Sequence, residues 1–188
     1  MLRRRLRALI ITVIIAAAVS FLLPLNSTST VNLRRVTFTP EQSINLNAVL
    51  NRNSSVVAFE STSDIADLGA GLSFHAMKAS ISSRDFSFSE FAKSRAAVAA
   101  ISHDGSTIAF SSSEDLINEN SDRNFEIYLA NPSGLRQLTH TSTNNEQDRL
   151  VAGNFQPSIS GDGKKIAFSA TVTGKGDTRN IYMLDIST

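Results

Sequence analysis

Pro157 to Ala170 reads PSISGDGKKIAFSA, and Ala100 to Ser112 reads AISHDGSTIAFSS. Aligned at an offset of 58, they place Ile101 over Ile159 and Phe110 over Phe168. Each consists of an apolar run, an Asp-Gly step and a second apolar run, the pattern of a tight β-hairpin. In Asp104-Gly105 and Asp162-Gly163 the glycine supplies a positive φ and the aspartate caps the turn, so both steps read as structural. A weaker copy, AVLNRNSSVVAFES from Ala48 to Ser61, sets Leu50, Val57, Ala58 and Phe59 where Ile159, Ile166, Ala167 and Phe168 stand. This copy has no glycine at its turn.

Working outward, each of the two clear hairpins is followed by a polar loop and a strand rich in β-branched and aromatic residues: FEIYLA at Phe125–Ala130 and NIYMLDI at Asn180–Ile186. The first of these leads through the turn signal Asn131-Pro132-Ser133-Gly134 into LRQLTHT at Leu135–Thr141, a fourth strand. Leu33–Thr39, LRRVTFT, echoes that fourth strand ahead of the first hairpin. The first unit then predicts strands over 46–61, near Leu72–Ser80 and near Asp85–Phe91; the second runs from Ala97 to Thr141, and the third from Phe155 to Ile186.

These counts predict twelve strands in three quartets, with repeat units at about 33–95, 96–141 and 155–188. Repeated four-stranded antiparallel units are the blades of a β-propeller, so the expected fold is all-β, a partial propeller of about three blades preceded by an N-terminal hydrophobic helix. Starting on strand four matches rings whose two chain ends share one blade. Three blades fall below the roughly four to eight that close a ring, which leaves exposed edges, a second copy, or membership in something longer.

The 188 residues are ample for one core, with 18 basic and 17 acidic side chains and a net charge of +1. Arg3, Arg4, Arg5 and Arg7 crowd the first seven positions, and no acid precedes Glu41. Setting those four aside leaves 14 basic against 17 acidic groups, a net charge of −3, which argues against nucleic acid as a partner. The absence of cysteine excludes disulfides, thiolate metal sites and a cysteine nucleophile.

Residues 1–25, MLRRRLRALIITVIIAAAVSFLLPL, place that positive cluster before an uncharged stretch from Ala8 to Leu25. This reads as an export signal. Small residues permit cleavage after Ala18 or after Ser20, while the apolar length approaches the ~20 residues of a membrane span, so cleaved leader and uncleaved anchor both stand. Either way the arginines stay in the cytoplasm and the remainder crosses, past a polar tether at 26–32. A buried core helix fits less well, because it would show one polar face.

PSISGDGKKIAFS (157–169) and EIYLANPSGLRQLT (126–139) resemble the repeat of TolB-type β-propellers, with its Asp-Gly hairpin, Ile-Ala-Phe strand, Ile-Tyr strand and Leu-Thr strand. The resemblance runs over residues 33–188 and is strongest over 97–188. It departs at Ile101 and Ile159, where the family carries an aromatic, and in the longer Asp/Asn-rich loop at 114–124. It extends to the repeat alone; the separate N-terminal α/β domain of TolB proteins has no counterpart in these residues. What it implies is a propeller; the N-terminal segment places it, as an expectation, at the periplasmic or extracellular side of the cytoplasmic membrane, secreted or anchored.

Ser73, in Gly71-Leu72-Ser73-Phe74-His75, is a near miss to a hydrolase nucleophile elbow, which needs glycine where His75 stands. His75, His103 and His140 occupy unrelated positions, His103 being the turn position that Gly161 takes in the later repeat. Glu114, Asp115, Glu119 and Asp122 gather four carboxylates with the amides of Asn118 and Asn120, oxygen ligands that suit calcium, but no glycine marks a calcium-loop turn and a solvated loop is the competing reading. The expectation is therefore a non-catalytic, exported propeller module without cofactor, binding a protein or peptide at the cell envelope. The alternatives are the propeller portion of a longer peptidase or hydrolase, and a truncated remnant. Two copies closing a six-bladed ring would bury both edges.

Overall fold

The computed structural model describes residues 33–65, 73–142, 152–171 and 178–186. Contacts divide the chain into Met1–Arg34 and Arg35–Thr188, and the architecture is that of the second unit. The expected hydrophobic helix, leader or anchor, and tether lie outside the described residues. Among the described residues no helix is long and apolar enough to cross a membrane.

The unit is all-β. Sheet one holds β1 (Asn45–Leu50), β2 (Val56–Ser61), β3 (His75–Ile81) and β4 (Phe86–Ala92). Sheet two holds β5 (Ala97–Ile101), β6 (Ile108–Ser112), β7 (Glu126–Asn131) and β8 (Gly134–Gln137). Sheet three holds β9 (Gly153–Ile159), β10 (Lys165–Thr171) and β11 (Arg179–Asp185). Every sheet is an antiparallel meander in chain order, and the first strands β1, β5 and β9 are neighbours from sheet to sheet.

Sheet two is buried on both faces, and its alternation explains why. Phe110, Tyr128 and Ala130 pack with Ala76, Ala92 and Ala96 toward sheet one. On the opposite face Ala109, Ile127 and Leu129 pack with Ile166, Phe168 and Ala170 of sheet three. The Phe110 and Tyr128 rings stack at 5.6 Å, and Phe91 meets Phe110 edge-on at 5.5 Å. Removing a fully buried ring such as Phe110 costs about 3–5 kcal/mol. Small alanines from sheet one against these rings permit close face-to-face packing.

Each pairing of a first strand with its second is broken by a register shift, between Leu46 and Val49, between Ala97 and Ala100, and between Ala167 and Ser169. Asn47 and Gln156, which share one repeat position, have φ of 54° and 53°. A bulge there turns the inner strand at the same height in sheets one and three.

Two differences from the sequence reading are informative. Leu33–Thr39 forms no strand, and eleven strands rather than twelve are present among the described residues. A fourth strand needs a third-strand edge to pair with, and sheet one is already a complete quartet. Within the segment Val36 instead packs on Val57, Phe59, Met77 and Ala79, the face of sheet one turned away from sheet two. The second difference is that β8 ends at Gln137, short of the expected Thr141. There the ladder is replaced: Leu138 N–H still donates to Ile127 O at 2.7 Å, but Ile127 N–H donates to the Thr139 hydroxyl at 2.8 Å.

Candidate functional site

The hairpin turns gather at one rim. Gly105 N–H donates to Ser102 O at 3.0 Å and Gly163 N–H to Ser160 O at 2.9 Å, and both glycines have positive φ. Ser102 and Ser160 hydroxyls donate to Asp104 and Asp162, each at 2.6 Å. These donors, with the Ser106 and Lys164 amides, hold the Asp104 carboxyl down at about 2 and lower that of Asp162. In the glycine-free first turn Asn51 takes over: its Oδ1 accepts from Val56 N–H at 2.9 Å, and Ser54 adopts φ 57°.

Successive turns are tied together. Asn51 Nδ2 donates to His103 O at 3.1 Å, and His103 N–H donates to Gly161 O at 2.9 Å. A Cβ on Gly105 would lie 2.7 Å from Val56 Cγ2, so this glycine serves packing on sheet one as well as its turn.

Ser73 precedes β3, two residues from His75. Its Oγ is 3.4 Å from His75 Nε2, and His75 Nδ1 is 3.4 Å from Glu90 Oε2, with both the His75 and Glu90 side chains almost buried. Glu90 stands opposite Met77 on β4, beside a register shift between Ala76 and Met77. A strand follows Ser73, not the helix of a nucleophile elbow, and both separations exceed the ~2.6–3.2 Å of a working proton relay.

The structure separates the histidines. His103 lies at the rim, 3.4 Å from Arg52, and His140 pairs with Glu119 at 3.2 Å. Nor does it converge the four loop carboxylates: Glu114 binds Arg123 at 2.8 Å, Asp115 accepts from Asn120 N–H at 3.0 Å, and Glu119 takes His140. Among the described residues no group of three or more acidic or histidine side chains is arranged to hold a metal ion. The Asp/Asn-rich loop is anchored by Tyr128, whose hydroxyl lies within hydrogen-bond distance of two acceptors, Glu114 O at 2.7 Å and Gln137 Oε1 at 3.0 Å. Burial pushes that phenol up to about 12.

Sequence reasoning passed over Glu126. At the start of β7 its buried carboxylate accepts from Thr141 N–H at 2.6 Å, Asn154 Nδ2 at 2.8 Å and the Thr139 and Thr141 hydroxyls, joining sheet two to sheet three. Desolvation raises its pKa in spite of these donors. The only signal for it was an acid facing inward on an otherwise apolar strand.

Two surfaces are open among the described residues. Sheet three ends on β11, where Ile181 is 76% and Met183 68% exposed. On the far face of sheet one an open cleft of about 780 Å³ is lined by Phe38, Pro40 to Ser43, Thr62 to Ile65 and Phe88.

No family model and no curated protein matches this chain. Solved structures do. An oligogalacturonate lyase in complex with manganese, itself a propeller protein, aligns at 19% identity with a TM-score of 0.53, covering 82% of this chain and 38% of its own. A protein described as a TolB of Agrobacterium tumefaciens aligns at 17% identity with a TM-score of 0.48, covering 76% of this chain and 43% of its own. TolB from Acinetobacter baumannii aligns at 17% and 0.38, covering 78% and 42%. The chain thus spans less than half the length of these matched structures. Its face-to-face meanders, with first strands adjacent, and the lyase alignment show a partial β-propeller, a module of about three blades.

Proposed function

We propose that this chain is an exported, non-catalytic propeller module of the TolB type that binds a protein or peptide at the periplasmic or extracellular face of the cytoplasmic membrane. One observation carries the binding reading: among the described residues β11 is the outer strand of a three-stranded sheet whose sister sheets have four, and its Ile181 and Met183 are exposed. An unpaired strand edge flanked by apolar side chains is a template for an added strand, with main-chain hydrogen bonds for affinity and alternate side chains for selectivity. The arginine cluster and apolar run of residues 3–25 support the export reading. A second copy is one partner of this kind, two three-blade halves closing one six-bladed ring.

Selection of a displayed random-peptide library on the full chain tests binding. Enrichment of extended apolar-alternating peptides is expected, lost in an Ile181→Glu/Met183→Glu variant of unchanged circular dichroism. Failure to enrich, or enrichment indifferent to that variant, would remove the reading. For export, alkaline phosphatase fused after Asn32 should be active in a bacterial host, because its disulfides form only outside the cytoplasm. An inactive, stable fusion would contradict it.

A further inference from the structure

We infer that the side-chain oxygens of Asn120 and Asn124 hold a calcium ion at the base of the Asp/Asn-rich loop. The site lies at the rim opposite the hairpin turns and does not depend on the binding reading above.

Asn120 is 2% exposed and Asn124 0%, and neither Oδ1 meets a hydrogen-bond donor or solvent. Turning the amides round does not cure this. Asn120 Nδ2 donates to Asn124 O at 2.9 Å and Asn124 Nδ2 donates to Thr141 O, so a flipped amide would set oxygen against carbonyl oxygen. The backbone fixes the pair further: Arg123 N–H donates to Asn120 O at 3.1 Å and closes residues 120–123 into one turn. Buried polar atoms are nearly always satisfied, so two such acceptors four residues apart point to a ligand that brings positive charge.

The surroundings select a cation over a water molecule. Residues 114–126 carry five acids against one base, Arg123, whose guanidinium is taken by Glu114 at 2.8 Å on the exposed side. Asn120 and the buried Glu126 share the wall of a cleft of about 310 Å³ with Glu119, Ser121, Asp122 and Gln137. Four donors already occupy the Glu126 carboxylate, so it acts on the site by its charge alone. A neutral water would leave that charge uncompensated.

Amide carbonyls beside carboxylates are calcium chemistry. Calcium takes about six to eight oxygens in a flexible arrangement that includes water, whereas magnesium demands a tight octahedron. Asn120 and Asn124 supply two of these oxygens, and the cleft admits the ion with waters still attached. The set differs from the four carboxylates that the loop sequence suggested, since Glu114 is committed to Arg123 and Asp115 to Asn120 N–H.

The chain has no tryptophan, and its two tyrosines, Tyr128 and Tyr182, stand on different sheets, which makes terbium a local probe. Terbium replaces calcium in oxygen sites and luminesces when a nearby tyrosine is excited. Tyr128 is the nearby one, because its hydroxyl touches Glu114 O in the loop and Gln137 in the cleft wall. The full chain, extracted in mild detergent and stripped with EDTA, should sensitise terbium. That emission should be displaced by calcium, vanish in Tyr128→Phe and persist in Tyr182→Phe. Calcium at a hundredfold excess over its Kd should also raise the melting temperature by roughly 5 °C. The rise should be absent in Asn120→Ala and Asn124→Ala and kept in Glu114→Gln; where an alanine variant fails to fold, the tyrosine variants decide. No sensitised emission, emission that follows Tyr182, emission that calcium does not displace, or a thermal shift undiminished in the alanine variants would overturn the site.

Discussion

His103 and Gly161 hold the same position in consecutive repeats, and the backbone N–H of the first donates to the carbonyl of the second at 2.9 Å. Repeat-equivalent turns are thus bonded to one another, sheet two to sheet three. The His103 imidazole lies over Gly161 so closely that a Cβ there would fall 2.3 to 2.5 Å from its ring atoms. Gly161→Ala should therefore displace the ring from its place beside Arg52 and cost about 1 kcal/mol, the low end of overpacking penalties. In a His103→Ala background the same change should cost almost nothing. Urea unfolding of the four variants gives the coupling directly, and additive effects would show that ring and glycine do not meet.

Asp104 bears on acid stability. Its carboxyl is held down to about 2 by Ser102 and Ser106 donors, below the ordinary value of 3.8. A depressed folded pKa contributes stability that is present above the unfolded value and is lost as pH falls through the folded one. The window is therefore about pH 4 to 2. The group is exposed, so the effect should stay below about 1 kcal/mol. Asp104→Asn, which keeps an Asx turn, should flatten the acid limb of the stability curve; an unchanged limb would show that the hydroxyl contacts do not favour the charged form.

Much of this fold is legible because its determinants are local. Asp104-Gly105 and Asp162-Gly163 announce hairpins, and the Ile-Ala-Phe and Ile-Tyr runs alternate onto both buried faces of sheet two. What escapes reading depends on partners distant in sequence. Asn51 replaces an Asp-Gly turn by bonding both its own hairpin and His103, 52 residues on. Leu33–Thr39 has the pattern of a strand, but pairing requires an edge that no pattern can supply. The same holds for the site residues. His75 meets Glu90 across β3 and β4, and three of the four acids of 114–122, Glu114, Asp115 and Glu119, are close in sequence yet taken by separate partners.

Ser73, His75 and Glu90 stand in line in the order of a hydrolytic triad, and a non-catalytic module predicts that the line is inert. Both gaps are 3.4 Å, too long for proton transfer without a shift of the β3 end. A fluorophosphonate probe should leave Ser73 unlabelled at concentrations that modify a serine hydrolase stoichiometrically. Labelling that disappears in both Ser73→Ala and His75→Ala would establish an activated nucleophile and favour the hydrolase alternative.

Glu126 gives a pH dependence of opposite sign. Its folded pKa is raised by burial, so the native state holds this proton more tightly than the unfolded chain does. Stability from this group is accordingly greatest below the ordinary value of 4.5 and declines as pH rises from there through the folded value. The donors from Thr139, Thr141 and Asn154 offset the loss only in part. Glu126→Gln removes the charge but turns an amide N–H₂ toward groups that themselves donate, a cost of about 1–2 kcal/mol near neutral pH. Glu126→Ala leaves the buried Thr141 amide without its acceptor and Asn154 Nδ2 with only Phe125 O and the Thr141 hydroxyl, and should cost more, about 3 kcal/mol or above. Urea unfolding of the three proteins from pH 4 to 7 should show the gap between wild type and Glu126→Gln narrowing as pH rises. A gap that widens instead would mean that the carboxylate is better solvated by its donors than burial allows, and that its pKa lies low in the folded protein.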